Sequence, residues 1–337
     1  MNATMLLEKQ IHYPVMLDQI LSIISPQHGG TFIDCTFGQG GYSKAILKYP
    51  KTKVFALDRD EIGEKFSKNL LKKFPTRFNF IRSKFSNLSN IVSSKTNPKA
   101  IIFDLGLSSL QLSDEKRGFS FNSKNLLNME MGINKFTAYD VVNSFDKKNL
   151  ANIIKILGDE KDGKKIANKI ELYRKNKPIK TSKELSEIIK LAKKNYHNFK
   201  KNPATKTFQA IRIFVNQELT ELILGLIEAS KLLAEGGILI VISFHSIEDK
   251  IVKNFFRLHS NLKENSSRYL PLKEKNLGLF NLKSQKPLIP DQKEINQNIN
   301  SRSAKLRYGI RTGASFFNSK EFKKNFETYL RLEEGRL

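Results

Sequence analysis

The stretch TFIDCTFGQGGYSKAIL, residues 31–47, decides the fold. An apolar run ends in Asp34, and Gly38, Gly40 and Gly41 follow closely before a helix-like segment at 42–49. A strand, a glycine-rich turn and a helix in that order bring bare backbone against a ligand. A triphosphate loop would end in Gly-Lys-Ser/Thr, whereas Tyr42 and Ser43 follow Gly41, which argues against that class. A dinucleotide loop survives in weak form, with Ser43 as its third small residue. A plain tight turn from strand to helix is the alternative without a ligand.

Outward from the loop, KVFALD (53–58), FNFIRS (78–83) and AIIFDLG (100–106) read as further buried strands, with helix-like segments such as 61–74 between them. Alternating strand and helix predicts a parallel sheet covered on both faces, and continuous apolar runs agree with that. Three aspartates end strands. Asp58 ends the second, where a carboxylate can accept hydrogen bonds from both ribose hydroxyls of NAD or of S-adenosylmethionine; a helix N-cap is the alternative. Asp34, at the head of the loop, would repel a pyrophosphate and suits the cationic amino acid end of S-adenosylmethionine. Asp104 ends the fourth strand, at the carboxyl edge where open α/β sheets bind ligands.

The rhythm changes after Gly106. Residues 112–206 are Lys-rich and helical in pattern, with a capping box at Thr181 and Glu184, and read as a helical insert. One long helix is predicted from about Thr207, because Phe208, Ile211, Val215, Leu219, Leu222 and Leu226 share a face. GGILIVISF (236–244) restores the strand pattern and IEDKIVKNFF continues as helix. Residues 260–300 read as loop, and SAKLRYGIR (303–311) as a last strand closing the sheet at an edge. The expected division is 1–111 and 207–312 for the sheet domain, 112–206 for the insert, and 313–337 for an exposed charged tail.

A hydrophobic fraction of 39% supports a packed core, and the single cysteine, Cys35, excludes an internal disulfide. No Cys/His spacing suits a metal, so none is expected. The apolar runs are too short to span a bilayer, and no secretory leader is legible, so a cytoplasmic setting is expected. The formal net charge of +25 points to a polyanionic partner, nucleic acid first, unless it reflects a Lys-rich composition alone.

HYPVMLDQIL, FIDCTFGQGGYSKAIL, ALDRD, DLGLSSLQLSDEKRGFSF, GDEKDGKKIANKI, NPATKTFQAIRIFVNQEL, GGILIVISFHSIEDKIVK and SRSAKLR occur in that order between about residues 11 and 310. Together they resemble the bacterial 16S ribosomal RNA cytosine-N4 methyltransferase family. The resemblance implies a Rossmann-like S-adenosylmethionine methyltransferase sheet of seven strands, the last edge strand antiparallel, with a helical insert. It implies S-adenosylmethionine as cofactor and cytosine 1402 of the small-subunit RNA as target. The family's cofactor contacts fall on Gly40, Gly41, Tyr42, Asp58, Phe85, Asp104 and Gln111. Several positions depart from the family pattern: Tyr42 stands for His, Asn128 for Asp, Glu130 for Arg, Asn202 for His and Lys206 for Arg.

Methyl transfer to an exocyclic amine is chiefly positioning, and an acceptor on the amine turns its lone pair toward the methyl. Candidate catalytic groups are Asp104, Ser108 and His245, the last either a general base or a residue that orients its loop. Arg117, Gln209, Arg212, Asn216 and Arg302 are candidates for RNA contact, although Gln209, Arg212 and Asn216 could instead cap the insert. Two other classes stay open: an RNA-binding assembly factor weakened in catalysis, and a nicotinamide-dependent oxidoreductase.

Overall fold

The computed structural model describes residues 13–193, 202–260, 277–318 and 320–335. Seven strands form one sheet: β1 (Gly30–Asp34), β2 (Thr52–Asp58), β3 (Phe78–Arg82), β4 (Ala100–Asp104), β5 (Ile238–Ser243), β6 (Phe280–Asn281) and β7 (Lys305–Arg311). Their order is β3-β2-β1-β4-β5-β7-β6. The first five are parallel, as the alternation predicts, and β7 pairs antiparallel with β5. The two-residue β6 lies outside β7, so the expected last strand is one position in from the rim. The sequence reading of 260–300 as loop missed β6 and the helix Gln292–Gln297, both too short to show a period; residues 261–276 of that stretch lie outside the described residues.

The chain reverses order at β1 and β4, so a crevice opens outside their carboxyl ends. Asp34, Asp58 and Asp104 end the three neighbouring strands β1, β2 and β4. The strand interiors fill the core. Phe32, Val54, Ala56, Ile102, Ile240, Ile242 and Leu306 pack with Ile20 and Ile24 of the helix Leu17–Ile24 and with Ile46 of the helix Gly41–Leu47. Burial on this scale contributes about 1.5–3 kcal/mol per large side chain.

The chain divides into two compact units. One comprises the residues up to Gly106 with Leu222–Lys324; the other comprises Leu107–Glu221 with the residues from Asn325 on. The second unit is helical, and its bounds are wider than the 112–206 expected for the insert. Ala138–Ser144, Lys147–Leu157, Gly163–Arg174, Ser182–Ala192 and Thr205–Asn216 bury Val141, Leu150, Ile154, Ile166, Ile170, Leu185, Ile189 and Phe214. The Thr181–Glu184 capping box forms as predicted.

Two expectations are corrected here. The single long helix is two, Thr205–Asn216 and Glu218–Leu232, because Gln217 turns left-handed at φ 51°. The Glu333 carboxylate offsets the lost helical bonds by accepting the N–H groups of Leu219 and Thr220, the latter at 2.8 Å. The tail is not exposed throughout. Phe322 is fully buried against Phe255 and His259, while Phe326, Leu332 and Glu333 are also buried. Its apolar residues are too few to show a face by spacing, but they suffice to anchor two short helices.

Candidate active site

The glycine loop is held from three directions. Gly38 N–H donates to Asp58 Oδ2 at 2.7 Å, and Phe37 N–H donates to Leu57 carbonyl at 3.0 Å, tying the loop to β2. Gly40 sits at φ 77°, and a Cβ there would meet the Phe37 ring at 2.7 Å. At Gly41 a Cβ would meet Pro14 Cγ at 2.3 Å. Any side chain at either position would displace the loop or the Tyr13–Met16 segment packed on it. That segment is itself anchored: Asn298 donates to Tyr13 carbonyl at 3.0 Å, and Met16 N–H donates to Glu294. No sequence signal marked Glu294 or Asn298, which lie far along the chain from their partners.

The three strand-end aspartates have different surroundings. Asp34 is fully buried and accepts from Ser43 hydroxyl at 2.7 Å and from Thr36 N–H at 3.3 Å. It therefore fixes the loop into the helix behind it. Asp58 also accepts Asp60 N–H at 2.8 Å; the helix N-cap is Asp60, which accepts from Ile62, so the capping alternative for Asp58 does not hold. Asp104 N–H donates to Thr36 Oγ1 at 2.7 Å. Its Oδ2 lies 3.1 Å from the Tyr42 hydroxyl, and its Oδ1 is buried with no hydrogen-bond partner among the described residues. Tyr42 is buried, and its hydroxyl lies 2.7 Å from the Val15 carbonyl.

Burial raises the carboxyls of Asp34 and Asp58 to about 6. Burial also raises Asp104 to about 7, and the charges of Asp34 and Glu248 add to the rise. Among the described residues, neither Lys nor Arg partners any of the three. A cluster of unneutralised acids, Asp34 buried and Asp58 and Asp104 partly buried, favours a cation and repels phosphate. That suits a sulfonium and an ammonium, and it disfavours the pyrophosphate of a nicotinamide dinucleotide. Phe85 completes the rim. Its ring is half-buried, held edge-on by Phe103 at 5.2 Å, and packed where a Cβ on Gly225 would intrude at 2.5 Å.

The other expected residues fall as follows. His245 caps the helix Ser246–His259, its Nδ1 accepting Glu248 N–H at 3.4 Å while Glu248 accepts from Phe244 N–H at 2.9 Å. Its Nε2 lies 3.1 Å from Glu248 Oε1 without hydrogen-bond alignment. This engagement favours the loop-orienting reading over a general base. Arg302 is exposed on the turn before β7.

In the helical unit, Ser108 and Gln111 form a reciprocal capping box, Ser108 N–H donating to Gln111 Oε1 at 2.9 Å. Gln111 is thus held as a cap at the start of Ser109–Ser113. Arg117 donates to Glu130 carbonyl at 2.8 Å, and Gln209 is half-buried. Arg212 makes a two-pronged pair with Glu218, both contacts 2.8 Å. Asn216 is fully buried, accepting from Met131 N–H and donating to Met129 carbonyl, each at 2.8 Å. Arg212 and Asn216 therefore serve the helix break and the 129–131 segment, as in the capping alternative.

Comparison with known proteins agrees with this construction. Residues 9–311 match the MraW methylase family. "Ribosomal RNA small subunit methyltransferase H" of Ehrlichia chaffeensis is 43% identical, the match covering 88% of this chain and 98% of the relative. The protein of that name from Sulfurihydrogenibium sp. is 42% identical, covering 89% and 99%, and that from Nitrobacter hamburgensis 39%, covering 90% and 91%. The chain is thus similar over most of its length to proteins named as methyltransferases, and its cofactor is S-adenosylmethionine. On these matches the chain belongs to the MraW methylase family.

Proposed function

We propose that this protein methylates the exocyclic N4 of a cytosine in small-subunit ribosomal RNA, at position 1402 in the decoding region, in the cytoplasm. The observation that carries the reading is the 43% identity over nearly the whole length of a relative named for small-subunit RNA methylation. The atom and the position come from the resemblance of the motifs. No described helix is long and apolar enough to cross a membrane.

S-adenosylmethionine supplies a methyl group activated on a sulfonium. Gly40 and Gly41 let backbone approach it, Asp58 holds the ribose, and Phe85 offers a ring face to the adenine. Tyr42 and Gln111 are the remaining contacts that the motif resemblance implies. Asp104 Oδ1 accepts a hydrogen bond from the target amine, turning the nitrogen lone pair toward the methyl. His245 positions the Ser243–Asp249 loop, and Ser108 holds Gln111 through their shared cap. The target base must leave its stack to enter.

The test is to incubate the protein with labelled S-adenosylmethionine and small subunits that lack the modification, then locate the label by nucleoside mass spectrometry. Label on cytosine N4 is expected. Label on a ring carbon or a ribose would overturn the reaction assignment. Cofactor binding without turnover on subunits or free RNA would favour the assembly-factor reading, which the departures at Tyr42, Asn128 and Glu130 motivate.

A further inference from the structure

A phenol has one proton to donate, yet the Tyr42 hydroxyl faces two acceptors, the Val15 carbonyl at 2.7 Å and Asp104 Oδ2 at 3.1 Å. The shorter contact takes the proton. A carbonyl has none to give back, so Val15 must be the recipient of a donated bond. The longer contact is then favourable only if the proton between Tyr42 and Asp104 comes from the carboxyl. Asp104 meets no compensating cation. From the elements around it come Asp34 at the end of β1, Tyr42 on the helix Gly41–Leu47, and Glu248 on the helix Ser246–His259, all neutral or acidic. Its other oxygen, Oδ1, is buried without a partner.

We propose that Asp104 is protonated before cofactor binds, kept so by a Tyr42 hydroxyl committed to Val15, and that it ionises against the cationic methyl donor, so that Asp104 and Tyr42 set the site's preference for the charged donor over its uncharged thioether product. This rests on the site binding S-adenosylmethionine. The balance closes. Asp104 loses one proton to solvent when the sulfonium arrives. On transfer the nitrogen lone pair forms the N–C bond, the S–C pair stays on sulfur, and the nitrogen sheds one proton. Asp104, then facing a neutral sulfur, regains a proton. The acid form returns and the carboxylate no longer attracts the product.

The test is calorimetric binding of S-adenosylmethionine, of its analogue with an amine in place of the sulfonium, and of S-adenosylhomocysteine. Each is measured from pH 5.5 to 8.5 in buffers of different ionisation enthalpy. The two cations are expected to release about one proton more than the thioether near pH 7, where burial sets the Asp104 carboxyl. Their affinity advantage should shrink roughly tenfold per pH unit below that point. Asp104→Asn should abolish the difference and leave only the weaker linkage of Asp34 and Asp58 at lower pH. Tyr42→Phe should move the midpoint to lower pH, since it removes the acceptor for the acid proton. A Tyr42 that donated to Asp104 would move the midpoint up on removal, and that result overturns its role. Equal proton release for charged and uncharged ligands, or a difference that persists in Asp104→Asn, overturns the role of Asp104. Failure of all three ligands to bind at any pH would instead defeat the cofactor reading of the site.

Discussion

Asp58 Oδ2 accepts the backbone N–H of Gly38 at 2.7 Å, so the end of the second strand holds the first glycine of the loop that follows the first. The carboxylate fixes the loop, and in the proposed site it would also face the ribose. Asp58→Ala is expected to weaken S-adenosylmethionine binding ten- to a hundredfold, about 1.5–3 kcal/mol for lost charge-assisted hydrogen bonds. Calorimetry alongside a melting curve checks this. Unchanged affinity in a folded variant would remove Asp58 from the cofactor site.

Asn216 bridges the Met129–Met131 segment and is fully buried. Asn216→Ala leaves the Met131 N–H without its acceptor and should cost about 1–3 kcal/mol of stability. Denaturant unfolding measures it. Lost RNA affinity at unchanged stability would return Asn216 to the RNA-contacting set.

The strand-end acids make stability depend on pH. Asp34 and Asp104 titrate at about 6 and about 7 when folded, against 3.8 when unfolded. The folded state binds more protons in that window, so the stability they contribute is complete below the unfolded value and lost as pH rises through the folded ones. Without cofactor, the protein should unfold at lower denaturant at pH 8 than at pH 5. Asp104→Asn should flatten the upper part of that slope; an unaltered slope would place the titration elsewhere.

RNA binding should fall steeply with salt. Lys147, Lys148, Lys155 and Lys164 lie on exposed faces of the insert's helices, although residues 194–201 of its Lys-rich stretch lie outside the described residues. Each phosphate neutralised contributes about −0.7 to −0.9 to the log–log slope. Replacing three of these lysines by Gln should lower the slope by two to three units, about that sum. A flat dependence in filter-binding or fluorescence titration would make the +25 charge compositional.

The sequence by itself determined the sheet and the family. Its buried strands are continuous apolar runs, its loop is marked by glycines that no other residue replaces, and Asp58 and Asp104 end strands that periodicity delimits. These signals are local, set by neighbours within a few residues. The tertiary structure alone decided what those groups touch. The left-handed Gln217 interrupts an apolar face that is unbroken in sequence, and it is stabilised by Glu333, more than a hundred residues on. Arg212 and Asn216 share a helical face, and only the folded chain shows that Arg212 holds Glu218 and Asn216 the 129–131 backbone. Tyr42 reads as a departure from a pattern until Val15 and Asp104 are found on either side of its one hydroxyl proton. Long-range hydrogen bonds leave no period in a sequence, because the closing of the chain, not the spacing of residues, brings donor to acceptor.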